Sequence, residues 1–265
     1  MTDADRSELE RQIAALDEGR AHLDLEGWSA IEVRGRDVES WLNDLVTASI
    51  DRVEPGRPAR SLLLSPTGRI RADFLVLRPS AEPRFILLQA PGQPSTLDEL
   101  LDPYVLSSDV ELVPADPSGS FLSPSTGGWS LLEGPGEVEA SAAAFEAWRI
   151  RHGQARFPVD VDTDSLPSEA GLDHEPLIDR TKGCYLGQES VARVRNLGHP
   201  PRLVVQVRGP AAPRPGTAVV AGGAAVGTVT SADPVVSSGA ALVRIRWDAR
   251  GTELSTPDGT VLEVR

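Results

Sequence analysis

The sequence is poor in lysine, cysteine and aromatic residues, and the shortage of cysteine limits what the chain can be. Of its 26 basic residues only Lys182 is a lysine, and Cys184 is the only cysteine. A single cysteine excludes an intrachain disulfide and fits a reducing compartment, so we expect a cytoplasmic protein. The first residues have no basic segment followed by an apolar one, and no apolar run reaches the roughly 18 residues of a membrane helix, so neither a signal peptide nor a membrane partner is predicted.

The sequence also lacks a surplus of positive charge. Its formal net charge is −13, whereas proteins that bind nucleic acid need basic side chains against the phosphates. No direct nucleic-acid partner is therefore expected. The histidines do not have the spacing of metal ligands, so a zinc site built from this chain alone is not expected; they are His22, His152, His174 and His199.

Apolar spacing predicts helices and a set of strands in the first two hundred residues. We expect strands at 28–33, at 85–88 and at 109–113, and a hairpin over 61–77 around a Ser-Pro-Thr-Gly turn. Three consecutive strands suggest an antiparallel meander, while the Pro-, Ser- and Gly-rich segment 114–128 is predicted to be loop. Helices are predicted at 5–19, from Asp37 as N-cap, at 95–106 from Ser95 as N-cap, at 140–151 and at 188–195.

The pattern changes after a turn-rich linker that ends near residue 201. Short strands at regular spacing are typical of a small barrel or sandwich, and they are predicted at 203–207, 218–220, 225–231, 241–247 and 260–264. Gly222-Gly223 is interpreted as a hairpin turn, because no helix follows it. We therefore divide the chain into residues 1–200 and a C-terminal barrel domain at 201–265.

The segment 179–189 concentrates the rare residues of the chain. It holds the only lysine, the only cysteine and Tyr185, one of the 2 tyrosines, between glycines that permit unusual backbone angles. A helix predicted to start after Gly187 would bring its N-terminus near the thiol, and Lys182 lies two residues away, so both would favour a reactive thiolate. The alternative is that Cys184 packs as a small buried hydrophobic residue.

Residues 182–189, followed by an arginine at Arg193, resemble the signature of the YgfZ family of folate-binding proteins, which are related to the glycine-cleavage T-protein, an aminomethyltransferase. The resemblance covers nearly the whole chain. It implies an α+β fold with antiparallel sheets and flanking helices around a central cavity, and a small C-terminal β-barrel. It also implies that tetrahydrofolate or a derivative binds in that cavity, in an accessory protein for iron–sulfur cluster assembly or repair that affects tRNA modification through a client enzyme.

The same resemblance assigns roles to particular side chains. Glu169, in a Pro-x-Glu motif, would grip the pterin ring, and Arg149, in an Arg-x-x-x-Gly motif, would belong to the folate site. Arg193 would order the reactive patch and, with Tyr185, contribute to cofactor binding. The patch itself would contain Lys182, Cys184, Tyr185, Gln188 and Glu189, together with Asp73. For Glu169 and Asp73 the alternative is an ordinary solvated carboxylate.

Two other functions stay open at this point. The T-protein hairpin carries a pair of aspartates, whereas this chain has Ala72-Asp73, and the missing carboxylate counts against one-carbon transfer through a cationic intermediate. A folate-dependent aminomethyltransferase is therefore the alternative, and direct tRNA binding is disfavoured by charge.

One cysteine cannot hold an iron–sulfur cluster alone, but Cys184 could supply one thiolate to a cluster shared with an assembly or client protein.

Overall fold

The computed structural model describes residues 2–23, 25–79, 83–106, 108–117, 119–126, 128–132 and 134–265, without the side chain of Leu197. The helices are α1 (Asp3–Asp17), α2 (Val38–Leu45), α3 (Leu97–Leu101), α4 (Ala142–Arg151) and α5 (Gln188–Leu197). The strands of the first 140 residues are β1 (Ala21–Leu23), β2 (Ser29–Arg34), β3 (Ala59–Leu64), β4 (Ile70–Leu77), β5 (Arg84–Gln89), β6 (Glu111–Ala115), β7 (Phe121–Ser125), β8 (Gly128–Leu132) and β9 (Val138–Ala140). Short 3-10 turns occur at Ile50–Arg52, Asp102–Tyr104, Pro167–Ala170, Val236–Ser238 and Trp247–Ala249.

The first sheet is antiparallel and has the order β3-β4-β5-β2-β6. The predicted meander is therefore confirmed, with the hairpin joining β3 to β4 and β5 following directly. Every residue of β4 except Arg71 is buried, because one side of the sheet packs against α2 and the other faces the interior of the domain. The helix predicted from Ser95 is shorter than expected. It begins at the cap Thr96, and a 3-10 turn ends it at Tyr104.

A second sheet, of order β8-β7-β1-β9, was not predicted. The prediction of loop over 114–128 is wrong for β7, which pairs with both β8 and β1. The strands of this sheet are three to five residues long, so the apolar alternation is too short to recognise, and Pro124 within β7 argued against a strand. Helices α1 and α4 cover this sheet and bury Leu16, Leu122 and Trp148 between them.

The C-terminal part is a closed barrel of order β10-β13-β12-β11-β14-β15. Its strands are β10 (Arg202–Arg208), β11 (Ala218–Ala221), β12 (Ala224–Ala232), β13 (Ala240–Arg246), β14 (Leu254–Ser255) and β15 (Val261–Val264). Gly222 and Gly223 form the predicted two-residue turn, both with positive φ. The predicted α+β fold with a C-terminal barrel is thus confirmed, while the division after residue 200 stays a prediction.

Among the described residues, no helix is long and apolar enough to cross a membrane.

Candidate functional site

A cavity of about 410 Å³ lies between the two sheets and α4. Strand β4 of the first sheet, strands β1, β8 and β9 of the second sheet, and α4 all contribute to its lining. Much of the wall is aromatic, contributed by Trp28, Phe74, Trp129, Phe145 and Phe157. Small-molecule sites in proteins are commonly concave and largely apolar, with a few placed polar groups.

A buried ion pair forms the polar part of this wall. Asp73 on β4 is 9% exposed, and Arg60 on the neighbouring β3 donates Nε to Oδ1 at 2.9 Å and Nη2 to Oδ2 at 2.6 Å. Burial alone would lower the pKa of Arg60, but the Asp73 carboxylate outweighs it and raises that pKa, so the guanidinium stays charged. The Gln93 side chain fixes the Asp73 backbone, accepting from its N–H at 3.0 Å and donating to its carbonyl oxygen at 2.6 Å.

The α4 side of the cavity carries a second charged group of side chains. Arg149 donates to Glu146 at 2.6 Å, to Asp160 at 2.8 Å and to Ser231 of the barrel at 2.8 Å. Arg149 lines the cavity, and its guanidinium also joins α4 to the barrel. Its role in cofactor binding stays a prediction. Arg156 completes this wall, with Nε 3.1 Å from a Glu146 oxygen.

The segment 179–189 is fixed by hydrogen bonds at its start. Asp179 Oδ1 accepts from the backbone N–H groups of Thr181 and Lys182 at 2.7 and 3.0 Å, and Oδ2 accepts from Arg52 at 2.7 Å. Desolvation by burial acts against the Asp179 anion, but these donors outweigh it and lower the carboxyl pKa.

Lys182 uses its ammonium to hold a neighbouring segment. Its Nζ donates to the carbonyl oxygens of Val46 and Ala48, both at 2.7 Å, and lies 5.7 Å from the centre of the Tyr185 ring. Desolvation by burial lowers its pKa from 10.5 to about 8, and nearby carboxylates offset only part of that effect. The proposed influence of this ammonium on the thiol stays a prediction.

The predicted site residues do not all meet in one place. Asp73 and Arg149 line the cavity, whereas Cys184 is exposed on the surface and is absent from the lining. Tyr185 is buried in a cluster with Ala155 and Phe157, which are themselves cavity residues, so it backs the wall. The remaining members of the predicted patch also lie outside the lining, namely Lys182, Gln188, Glu189 and Arg193.

Glu189 and Arg193 pair as expected on the first turns of α5. Arg193 Nη2 donates to Glu189 at 2.9 Å, and both side chains are exposed. The pair can order the surface around α5, but it does not reach the cavity lining.

Glu169 lies in the interface with the barrel. It is 0% exposed, and its Oε2 accepts from Arg244 at 2.8 Å and from Arg202 at 3.2 Å, while Arg69 lies 3.9 Å from Oε1. The backbone N–H of Leu166 donates to Oε1 at 3.2 Å. The carboxylate is thus occupied by protein donors, and the structure does not bring it into the cavity lining.

Sequence reasoning missed several cavity residues. Arg60 lies one residue before the predicted hairpin of 61–77, and in the structure its strand brings it next to Asp73. Trp129 and Phe145 could not be placed in the wall, because their positions depend on the second sheet, which was not predicted, and on how α4 packs against it.

Three comparisons place the chain among known proteins. Residues 4–118 match the family described as the GCVT N-terminal domain. A protein of Haemophilus influenzae described as uncharacterized is 27% identical over 194 residues, covering 66% of this chain and 69% of that protein. An iron-sulfur cluster assembly factor IBA57 homolog, mitochondrial, from Mycosarcoma maydis is 28% identical over 212 residues, covering 63% of this chain and 52% of that protein.

One aminomethyltransferase matches over a greater share of the chain. The Streptomyces coelicolor aminomethyltransferase is 25% identical over an alignment of 315 positions, covering 93% of this chain and 84% of that protein. The crystal structure of glycine cleavage system aminomethyltransferase T from Bartonella henselae superposes with a TM-score of 0.76 at 18% identity, over 97% of this chain and 88% of that one. At that identity the likeness shows the fold. The chain therefore has the aminomethyltransferase fold, and its residues 4–118 match the GCVT N-terminal domain.

Proposed function

We propose that the chain binds tetrahydrofolate or a derivative in its aromatic cavity and serves as an accessory protein in iron–sulfur cluster assembly or repair. The observation that carries the proposal is the cavity itself, about 410 Å³ in volume, with ring side chains on its walls and a buried ion pair among them. Its position between two sheets and a helix is typical of a preformed ligand site.

The residues present fit a folate. A pterin is flat and bicyclic, so it can stack on aromatic side chains such as Trp28, Phe145 and Phe157. Arg60 offers guanidinium donors beside the carbonyl and ring nitrogens of such a group. When bound, the folate would supply the nitrogen atoms that carry one-carbon units.

The iron–sulfur part of the proposal rests on two supports. One is the similarity to the Mycosarcoma maydis protein, which is named as an iron-sulfur cluster assembly factor. The other is the exposure of Cys184, which leaves its thiol accessible to a partner. One thiolate from this chain would join ligands from an assembly or client protein, since a cluster takes about four. Effects on tRNA modification would then follow indirectly, through an iron–sulfur client enzyme.

The alternative function is aminomethyl transfer, favoured by the coverage of the Streptomyces coelicolor aminomethyltransferase. The Arg60–Asp73 pair argues against it, because both carboxylate oxygens already accept from a guanidinium. An assay with glycine-cleavage partner proteins and a lipoylated carrier separates the two functions. We expect no turnover above background, and folate-dependent turnover would establish the transferase instead.

Folate binding is tested by titration calorimetry with tetrahydrofolate. We expect binding by the unaltered chain and at least about fivefold weaker binding by Phe145→Ala, because a stacked aromatic side chain contributes on the order of 1 kcal/mol or more. Trp247→Ala is the matched control, since Trp247 stacks on His199 in the barrel part and lies outside the cavity. Absence of heat with every folate tested would reject the proposal.

The role of the thiol is tested separately. Cys184→Ser should leave the melting temperature unchanged, because the side chain is exposed, yet it should fail to restore iron–sulfur enzyme activity in cells that lack the chain. Ser190→Ala, in the first turn of the neighbouring helix α5, is the control. Full restoration by Cys184→Ser would show that the thiol has no part in the function.

A further inference from the structure

The Arg60–Asp73 pair is arranged so that the cation, more than the anion, is accessible. The Arg60 side chain is 25% exposed and the Asp73 side chain 9%. Both residues line the cavity. A ligand ring against this part of the wall would therefore meet guanidinium before carboxylate.

Both oxygens of Asp73 already accept a hydrogen bond. Each of its carboxylate oxygens accepts from Arg60, in the paired geometry that makes arginine–carboxylate contacts strong. A third bond, from Arg60 Nη2 to the carbonyl oxygen of Ala155 at 3.3 Å, ties the guanidinium in place. Because the Gln93 amide holds the Asp73 backbone on both sides, the strand cannot easily turn the carboxylate toward a ligand.

The rest of the lining does not supply a net negative field. The ionisable side chains of the wall are three carboxylates and three guanidinium groups: Glu26, Asp73 and Glu146, and Arg60, Arg149 and Arg156. Glu146 is itself held by Arg149 at 2.6 Å and lies 3.1 Å from Arg156. A positively charged ring would thus enter a cavity whose nearest exposed charge at the Asp73 end has the same sign.

We infer that Arg60 determines specificity, making the cavity select reduced folates whose ring system is uncharged and reject those that carry a ring cation, such as methenyltetrahydrofolate. The inference rests on the proposed folate site. Like charges a few ångströms apart in a poorly solvated cavity repel strongly, and discrimination by an unfavourable contact is a common route to specificity.

The test compares two folates that differ by one water molecule, one proton and the ring charge. 5-Formyltetrahydrofolate is neutral in the ring and does not cyclise readily in mild acid, whereas methenyltetrahydrofolate is cationic. Titration calorimetry is run at mildly acidic pH, where the methenyl form persists and its long-wavelength absorbance confirms that it is intact. For the unaltered chain we expect the neutral form to bind at least about tenfold more tightly. The repulsion between two like charges in this cavity is large enough to produce a difference of that size.

Arg60→Met should reverse that preference, because it leaves the Asp73 carboxylate as an uncompensated negative charge in that part of the wall. Arg60→Met with Asp73→Asn removes both charges and should bring the two affinities within about threefold of each other. This double variant also keeps the test informative if Arg60→Met does not fold, because replacing both partners of a buried pair destabilises a protein far less than removing one partner. Arg34→Met is the matched control: it is another ion-paired strand arginine of the same sheet, outside the lining, and should keep the original preference.

The outcomes distinguish failure of the Arg60 inference from failure of the proposed folate site on which it rests. If the unaltered chain binds no folate, the folate site itself is rejected and the inference falls with it. If it binds both forms equally, or if both Arg60 variants keep the original ratio, folate binding stands and the role of Arg60 is rejected. A ratio that moves with Arg60 and not with Arg34 supports the inference.

Discussion

The ammonium of Lys182 is bound to the carbonyl oxygens of Val46 and Ala48, so the only lysine of the chain joins the segment after α2 to the segment before α5. An arginine fork would not fit two carbonyl groups around a single nitrogen, because its donors are spread over a plane. Lys182 therefore has a structural contact in this segment, and its predicted role in a reactive patch stays a prediction.

The titration of this lysine is directly observable. With lysine labelled by a carbon isotope at Cε, the chain gives one side-chain resonance, and we expect its midpoint near pH 8 instead of 10.5, because burial disfavours the ammonium. The folded state then binds fewer protons than the unfolded state between these two values, so stability should rise with pH across that window. A midpoint at the ordinary value would contradict the burial of the amine.

Gly187 gives a second test at the scale of single residues. Its φ is +83°, and a Cβ there would lie 2.5 Å from the carbonyl oxygen of Ser65. In Gly187→Ala the backbone conformation becomes strained and the hairpin turn can no longer pack on α5. We therefore expect the free energy of unfolding, measured in urea, to fall by about 3 kcal/mol or more. Gly216→Ala is the matched control, with a φ of +86° and nothing within 4 Å, and should cost only about 1 kcal/mol. Equal losses would show that the contact is unimportant.

At the scale of elements, α4 is docked by one buried cation. Arg149 is 1% exposed and bonds within α4 to Glu146, to Asp160 of the following loop and to Ser231 of β12. Asp160 in turn accepts from Thr230 and Ser231 at 2.5 and 2.7 Å. The helix, the loop and the barrel thus share one network of hydrogen bonds.

Removing that cation should be costly. Arg149→Met leaves the fully buried Asp160 without its ionic partner, and loss of one member of a buried pair destabilises by about 3–5 kcal/mol. Arg11→Met on α1 is the control, because its pair with Glu8 is exposed and screened by solvent, so its loss should change stability little. Chemical unfolding of the two variants measures the difference. Similar losses would mean that the network does not hold α4 to the barrel.

The elements that could be predicted were those with long or strongly patterned segments. The hairpin of β3 and β4, the helix α4 and the main barrel strands have enough apolar periodicity to stand out. The second sheet does not, since β1 and β9 are three residues long and gain their stability from packing under α1 and α4. That sheet supplies one wall of the cavity, so sequence reasoning found Asp73 but not the aromatic residues opposite it.

For the molecule as a whole, the contact between the N-terminal region and the barrel is also charged. Glu169 lies at its centre with Arg202 and Arg244 of the barrel and Arg69 of the hairpin turn around it. Arg244 also donates to Asp162 at 2.8 Å and to Ser165 at 2.6 Å. A carboxylate with no solvent exposure is stable in such a place because protein donors replace its water.

This arrangement makes opposite predictions for the two roles of Glu169. If it joins the two parts of the molecule, Glu169→Gln should destabilise the chain by about 3 kcal/mol, since Arg244 loses the buried anion with which it is paired, and should leave folate affinity within about threefold of the original. The double variant with Arg244→Met should be less destabilised than the sum of the single changes, because the two residues are in direct contact. Glu263→Gln, from an exposed pair in the same barrel, is the control and should change little.

The pterin-binding role implied by the family resemblance predicts the reverse, with folate affinity lost and the melting temperature kept. We expect the first outcome, because the Glu169 carboxylate is occupied on one oxygen by two arginines and on the other by a backbone N–H, and because the cavity lining does not include it. A ligand could reach this carboxylate only if the barrel moved away from it. Scanning calorimetry and folate titration on the same preparation of each variant therefore decide whether Glu169 binds a cofactor or holds the barrel against the rest of the chain.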